Sequence, residues 1–107
     1  DPGYEQKTVP ESVKRGQLAL VAAPEAAEHT VKIHADARMY AGLFEGAESA
    51  SLALDPARKA YVFLVRGRLQ VNGQTLHSGD AAMLQAESSL VLSQGQDAEV
   101  LVFDLAA

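Results

Sequence analysis

An all-β fold, a barrel or a two-layered sandwich, is predicted by three features of this chain. Short runs rich in Val, Leu, Phe and Tyr recur at a spacing of about ten residues, and Gly, Pro, Asp and Asn punctuate them. Helix-forming stretches are scarce. Residues 61–80 read as strand, turn, strand, turn, strand, with Gly67, Gly73 and Gly79 at the turns. Glycine is the residue that takes the positive φ of a tight turn without steric cost.

Taken in order, residues 1–16 read as an arm or linker with one helical turn. Thr8-Val-Pro-Glu11 has capping-box spacing, Lys14 and Arg15 suit a helix C-terminus, and Gly16 suits its stop. Residues 17–107 form the barrel domain, with at most one or two short helical turns. Strands are predicted over 18–21, 31–33, 39–44 and 51–54, then over the central run, then over 81–84, 89–92 and 100–105. Pro24-Glu-Ala-Ala-Glu28 holds helix formers but is too short to nucleate, so it reads as a loop or a single turn. Glycines spaced by six would suit a hexapeptide β-helix, yet nothing else in the chain continues the period, and hairpins are preferred. Residues 61–65 are apolar at every position, whereas a strand with one wet face alternates. Both faces of that strand are therefore expected to be covered, one by the barrel interior and one by a second layer, the N-terminal arm or a partner surface. Residues 100–103 have the same character.

With 107 residues, 48% of them hydrophobic, the chain allows one domain with a modest core and argues against disorder. It begins at Asp1 and reads as a processed chain or an excised piece of a longer one. Fourteen acidic against nine basic side chains give a formal charge of −5, which disfavours a phosphate-binding surface and hence nucleic acid. No apolar run reaches the ~18 residues of a membrane span and no signal-peptide pattern is present, so the reading is a soluble cytoplasmic protein without a membrane partner. The absence of cysteine removes disulfides, thiolate catalysis and sulfur-ligated zinc.

Few side chains suggest chemistry. His29, His34 and His77 could ligate a metal, but a loop, a strand end and a turn are not expected to converge. His34, Asp36, Tyr40 and Glu45 carry acid-base groups, and on a strand residues 34, 36 and 40 would share a face; a solvated strand end is the plainer reading. Arg58, Lys59, Arg66 and Arg68 place positive charge at both ends of the apolar strand, either to keep strand edges soluble or to grip an acidic ligand, with Arg66 the foremost candidate. Gly42 and Gly46 are too sparse for a phosphate cradle, and Ser49, Ser51, Ser88 and Ser89 lie in no nucleophile-elbow context.

The turn positions Gly67 and Gly79-Asp80 resemble those of the cupins, small jelly-roll barrels. The series Tyr4-Glu-Gln-Lys7, Lys14-Arg-Gly16, Ile33-His-Ala-Asp36, Tyr40-Ala-Gly42, Tyr61-Val62, Val71-Asn-Gly73 and Gln96-Asp-Ala-Glu-Val-Leu-Val-Phe-Asp104 is similar to the C-terminal cupin domain of pirin-like bicupins. That family includes quercetin 2,3-dioxygenases. The likeness covers nearly the whole chain and implies a cupin-type jelly-roll barrel or sandwich.

Metal-binding cupins use a His-x-His, Glu, Gly motif and a second motif with Gly, Pro-x-Gly, His and Asn. Aligning Gly67 with the glycine of the first puts Ala60 at the Glu position and Leu54 and Pro56 at the histidines, or Ala53 and Asp55 with the longer spacing. Starting the second at Gly79 puts Gln85, Glu87, Leu90 and Gln94 at the Pro, Gly, His and Asn positions. A transition metal needs imidazole and carboxylate donors, which Leu54, Pro56, Ala60 and Leu90 lack, and Asp55 alone would not hold it.

The resemblance therefore implies a domain without catalytic, cofactor or metal residues of its own. It would be the structural and interface half of a metal-dependent, quercetinase-like dioxygenase. The divalent metal would lie in an N-terminal cupin absent from this chain, which would be the domain's main partner, with self-association the alternative for the isolated piece. A second reading is a small-molecule binding or sensing barrel with an apolar cavity beside Ala60, and a third is a metalloenzyme with off-family ligands such as His34 or His77.

Overall fold

Two long antiparallel strands carry the architecture of the computed structural model, which describes residues 9–25, 27 and 29–106. These are β5 (Lys59–Val71) and β8 (Ser89–Leu105). Each changes its outer neighbour midway. The first half of β5 pairs with β7 (Ala81–Gln85) and its second half with β6 (Gln74–His77). The first part of β8 pairs with β4 (Ala50–Ala53), and its last part with β3 (Ala37–Phe44). Beyond β3 lie β1 (Leu18–Ala23), antiparallel to it, and the short β2 (Val31–Lys32), parallel to β1. The exchange of neighbours divides one hydrogen-bonded network into two layers, β2-β1-β3-β8-β5-β7 and β4-β8-β5-β6.

The layers enclose one core. Val62, Leu64, Val100, Val102 and Phe44 from the larger layer meet Leu69, Val71, Leu76, Leu90 and Leu92 from the smaller, nearly all of them fully buried. The alternation that sequence reasoning missed in 61–65 is present: Val62 and Leu64 face the core, while Tyr61 and Val65 remain 37% and 40% exposed. The second face of this strand is thus half open, against the expectation that both faces are covered.

Three other expectations change. Gly67 does not terminate a strand; it sits inside β5 at φ +82°, where the pairing with β8 shifts register. A Cβ there would come within 2.2 Å of the Gln96 and Asp97 carbonyl oxygens, so only glycine lets the two long strands approach at their bend. The predicted strands over 89–92 and 100–105 are one strand, bent at Gln94 and Asp97, which take positive φ. The helical turn α1 (Glu11–Lys14) has Pro10 at its N-cap with no side-chain hydrogen bond, in place of a capping box; Thr8 lies outside the described residues. Gly16 follows at φ +71° as a stop.

The glycines at 73 and 79 do mark turns. Asn72 and Gly73 take φ of +48° and +84°, as a two-residue hairpin of matching twist requires. Asn72 also ties this turn to β8, accepting the Val91 N–H at 2.7 Å and donating to the Ser89 carbonyl at 3.1 Å. In the next turn Asp80 accepts the His77 N–H, and Ser78 Oγ accepts the Gly67 N–H at 2.9 Å, which fastens the turn to the bend of β5.

Candidate functional site

The residues that the resemblance expects at the cupin ligand positions are Leu54, Pro56, Ala60 and Leu90. Ala60 on β5 and Leu90 on β8 point into the core at 3% and 0% exposure, Leu54 packs against its edge, and Pro56 is exposed. The space lined by Leu54, Ala60, Leu84, Arg58 and Asp104 has no room for a water molecule. An apolar ligand cavity beside Ala60 is therefore not favoured: Val62, Leu64 and Leu90 are fully buried in a filled interior. A metal requiring several imidazole and carboxylate donors does not fit these side chains.

This end of the barrel is closed by an ion-pair network. The Arg58 guanidinium donates from Nε to Asp104 Oδ1 at 2.7 Å and from Nη1 to both carboxylate oxygens of Asp36 at 2.9 and 3.0 Å. Its Nη2 reaches the Asp36 carbonyl at 3.1 Å. The side chains of Arg58 and Asp104 are only 20% and 22% exposed, while Asp36 is 66% exposed. The hydrogen bonds to Asp104 and then Asp36 hold the Arg58 pKa well above its usual value. Beneath the network, Tyr40 packs on the core, and burial, followed by the charge of Asp104, raises its pKa.

Other predicted residues do not assemble. His34 and Asp36 lie in an exposed bend preceding β3, so they do not share a strand face with Tyr40. Glu45 accepts the Asp97 N–H at 2.5 Å, and Asp55 closes a local turn by accepting the Ala57 N–H. His77 lies 3.8 Å from Asp80. Among the described residues no group of three or more His, Asp or Glu side chains could hold a metal ion. Arg66, the foremost candidate for gripping an acidic ligand, is engaged by Glu99 and Asp97 of its own chain.

What the structure does assemble is an apolar surface. On the outside of the larger layer, Met39, Phe103, Tyr61 and Met83 stand in one row across four strands by register. Leu101 and Phe63 form the row beside it. Tyr61 and Phe103 contact through tilted rings with centroids 6.3 Å apart. Met83 is 58% exposed, and Val65 and Leu105 add to the open hydrocarbon. The sequence signals for this face were the unbroken apolar runs at 61–65 and 100–103.

In comparisons with known proteins, the family described as the quercetinase C-terminal cupin domain matches residues 20–105. Quercetin 2,3-dioxygenase of Escherichia coli K12 is 28% identical over 104 residues, which make up 97% of this chain and 44% of that protein. A pirin-like protein of Caulobacter vibrioides is 26% identical over 106 residues, 98% of this chain and 46% of the relative. The bacterial pirin YhhW of Escherichia coli, solved in complex with nickel(II), superposes with a TM-score of 0.78 at 26% identity, covering 83% of this chain and 39% of that one. The chain thus spans less than half the length of the relatives it matches. No helix among the described residues is long and apolar enough to cross a membrane.

Proposed function

The chain belongs to the quercetinase C-terminal cupin domain family, and from that premise we propose that it is the metal-free, structural half of a two-cupin protein. Its outer apolar face docks on an N-terminal cupin of the same parent chain. That other cupin holds the divalent metal and carries out a quercetin 2,3-dioxygenase-like reaction. The observation that carries the reading is the row Met39, Phe103, Tyr61 and Met83, its first two half-buried and its last two exposed, on the outside of a layer whose inner face packs the core. Surfaces of this kind mark contacts with another body. The names of the relatives, and the hydrocarbon at Leu54, Ala60 and Leu90, support placing the chemistry in the other half.

The test compares urea unfolding of the 107-residue chain alone and within its parent, with the double substitution Tyr61→Ser and Met83→Ser in both. The domain is expected to be more stable in the parent, and the double variant to remove that gain while changing the isolated chain by less than about 1 kcal/mol. Equal stability in both settings would refute the docking. Metal analysis of the purified chain is expected to give less than about a tenth of an equivalent.

A further inference from the structure

We propose that a polar concavity on the smaller layer binds a small polyhydroxylated carboxylate, a sugar acid. It has a volume of about 500 Å³ and lies where β5, β6 and β8 meet the loop after β3. Pockets for small ligands fall in this range. Its floor is low because Gly95 is pressed onto Phe44: a Cβ at Gly95 would lie 2.8 Å from the Phe44 carbonyl oxygen. The floor strand is also strained, with Gln94 and Asp97 at φ of +52° and +47°, a cost that clusters at ligand sites.

The lining dictates the ligand. Arg15, Arg38, Arg58 and Arg66 each pair with a carboxylate of the chain; Arg68 alone among the arginines has no such partner among the described residues, and it lines this concavity. A guanidinium left open in a chain of formal charge −5 is a fork for one carboxylate. Gln70, Gln94, Gln96 and Thr75 add amide and hydroxyl groups able both to donate and to accept, as sugar hydroxyls require. Glu45 contributes another acceptor, and its charge opposes a second anionic group, which disfavours phosphorylated ligands. Among the described residues no aromatic ring lines the site, so a flavonol or a nucleobase has none of these to stack on. The site lies apart from the apolar outer face and does not depend on the docking proposed above.

The experiment titrates the isotopically labelled 107-residue chain with galacturonate and follows backbone amide resonances, with galactose and acetate as comparators. Saturable shifts are expected at Gly46, Arg68, Gln70 and residues 94–96, with both comparators weaker by about tenfold or more. Arg68→Gln and, separately, Gln70→Leu are expected to weaken galacturonate about tenfold with circular dichroism unchanged. Absence of saturable shifts at about 50 mM galacturonate, acetate as effective as galacturonate, or undiminished binding by Arg68→Gln would each overturn the proposal.

Discussion

Replacing Gly67 by alanine tests whether the close approach of the two long strands, rather than an ordinary turn, defines this barrel. Two costs add. An L-residue at φ +82° gives up about 1–2 kcal/mol relative to glycine. The new Cβ would also sit 2.2 Å from the carbonyl oxygens of Gln96 and Asp97, both backbone atoms, so β8 must move at its own bend. That movement disturbs the Arg66–Glu99 and Arg68–Gln96 pairings on either side, and losing one or two buried-edge hydrogen bonds costs about 1–3 kcal/mol more. The sum, about 2–5 kcal/mol, is a large part of the stability of a domain this size. Gly73→Ala supplies the control: its φ is +84°, but nothing lies within 4 Å of the added Cβ, so it carries only the conformational cost. Urea unfolding monitored by circular dichroism should give Gly67→Ala a midpoint well below that of Gly73→Ala, at unchanged slope. Midpoints for the two variants equal within error would refute the argument that strand approach fixes residue 67.

Two further outcomes follow from the closed barrel end. Thermal unfolding should rank Asp104→Asn as more damaging than Asp36→Asn, because both carboxylates meet Arg58 but Asp104 is 22% exposed and Asp36 66%, and solvent screens the outer pair. The reverse order would remove the network as a structural plug. Tyr40 has a folded pKa raised above the usual 10.0 by burial and then by Asp104, so the contribution of its neutral form is complete below pH 10 and is lost as pH rises through the raised value. Urea midpoints measured at about pH 8 and about pH 11 should therefore fall less for Tyr40→Phe than for the parent sequence.

The sequence was a good guide where local chemistry decides structure. The turn expected at Gly73 formed, with Asn72 and Gly73 at positive φ, and the strand expected over residues 81–84 is β7. It misled where a long-range contact decides. Gly67 looks the same in one dimension whether it turns a chain or admits a neighbouring backbone, and only the position of Gln96 and Asp97 distinguishes the two. Likewise Ser93-Gln-Gly95 reads as a break between strands, yet β8 continues through it because β5 bends beside it. For the site, the sequence carried the identities of Ala60 and Leu90, and their burial in the core is a property of the fold. That Arg68 has no carboxylate partner among the described residues was not legible, since Glu99 and Asp97 nearby engage Arg66.

The apolar outer face bears on how such a half would be held. Tyr61, Val65, Met83 and Leu105 keep 37–58% of their surface exposed. Fully burying a side chain of this kind contributes about 1.5–3 kcal/mol, so covering what remains of these four contributes about 3–5 kcal/mol in all. Association of two separate bodies costs at least about 4 kcal/mol in lost freedom of motion. The two nearly cancel, so these four side chains alone would hold separate molecules together with a Kd on the order of 0.1 M or poorer. A short covalent tether presents a partner at an effective concentration on the order of 1 mM, so even within one chain the four need further contacts from the partner's own surface. The face by itself is too weak to recruit a free copy, and the isolated chain is expected to be monomeric at micromolar concentration in analytical ultracentrifugation. A tight dimer of the isolated chain would contradict the argument.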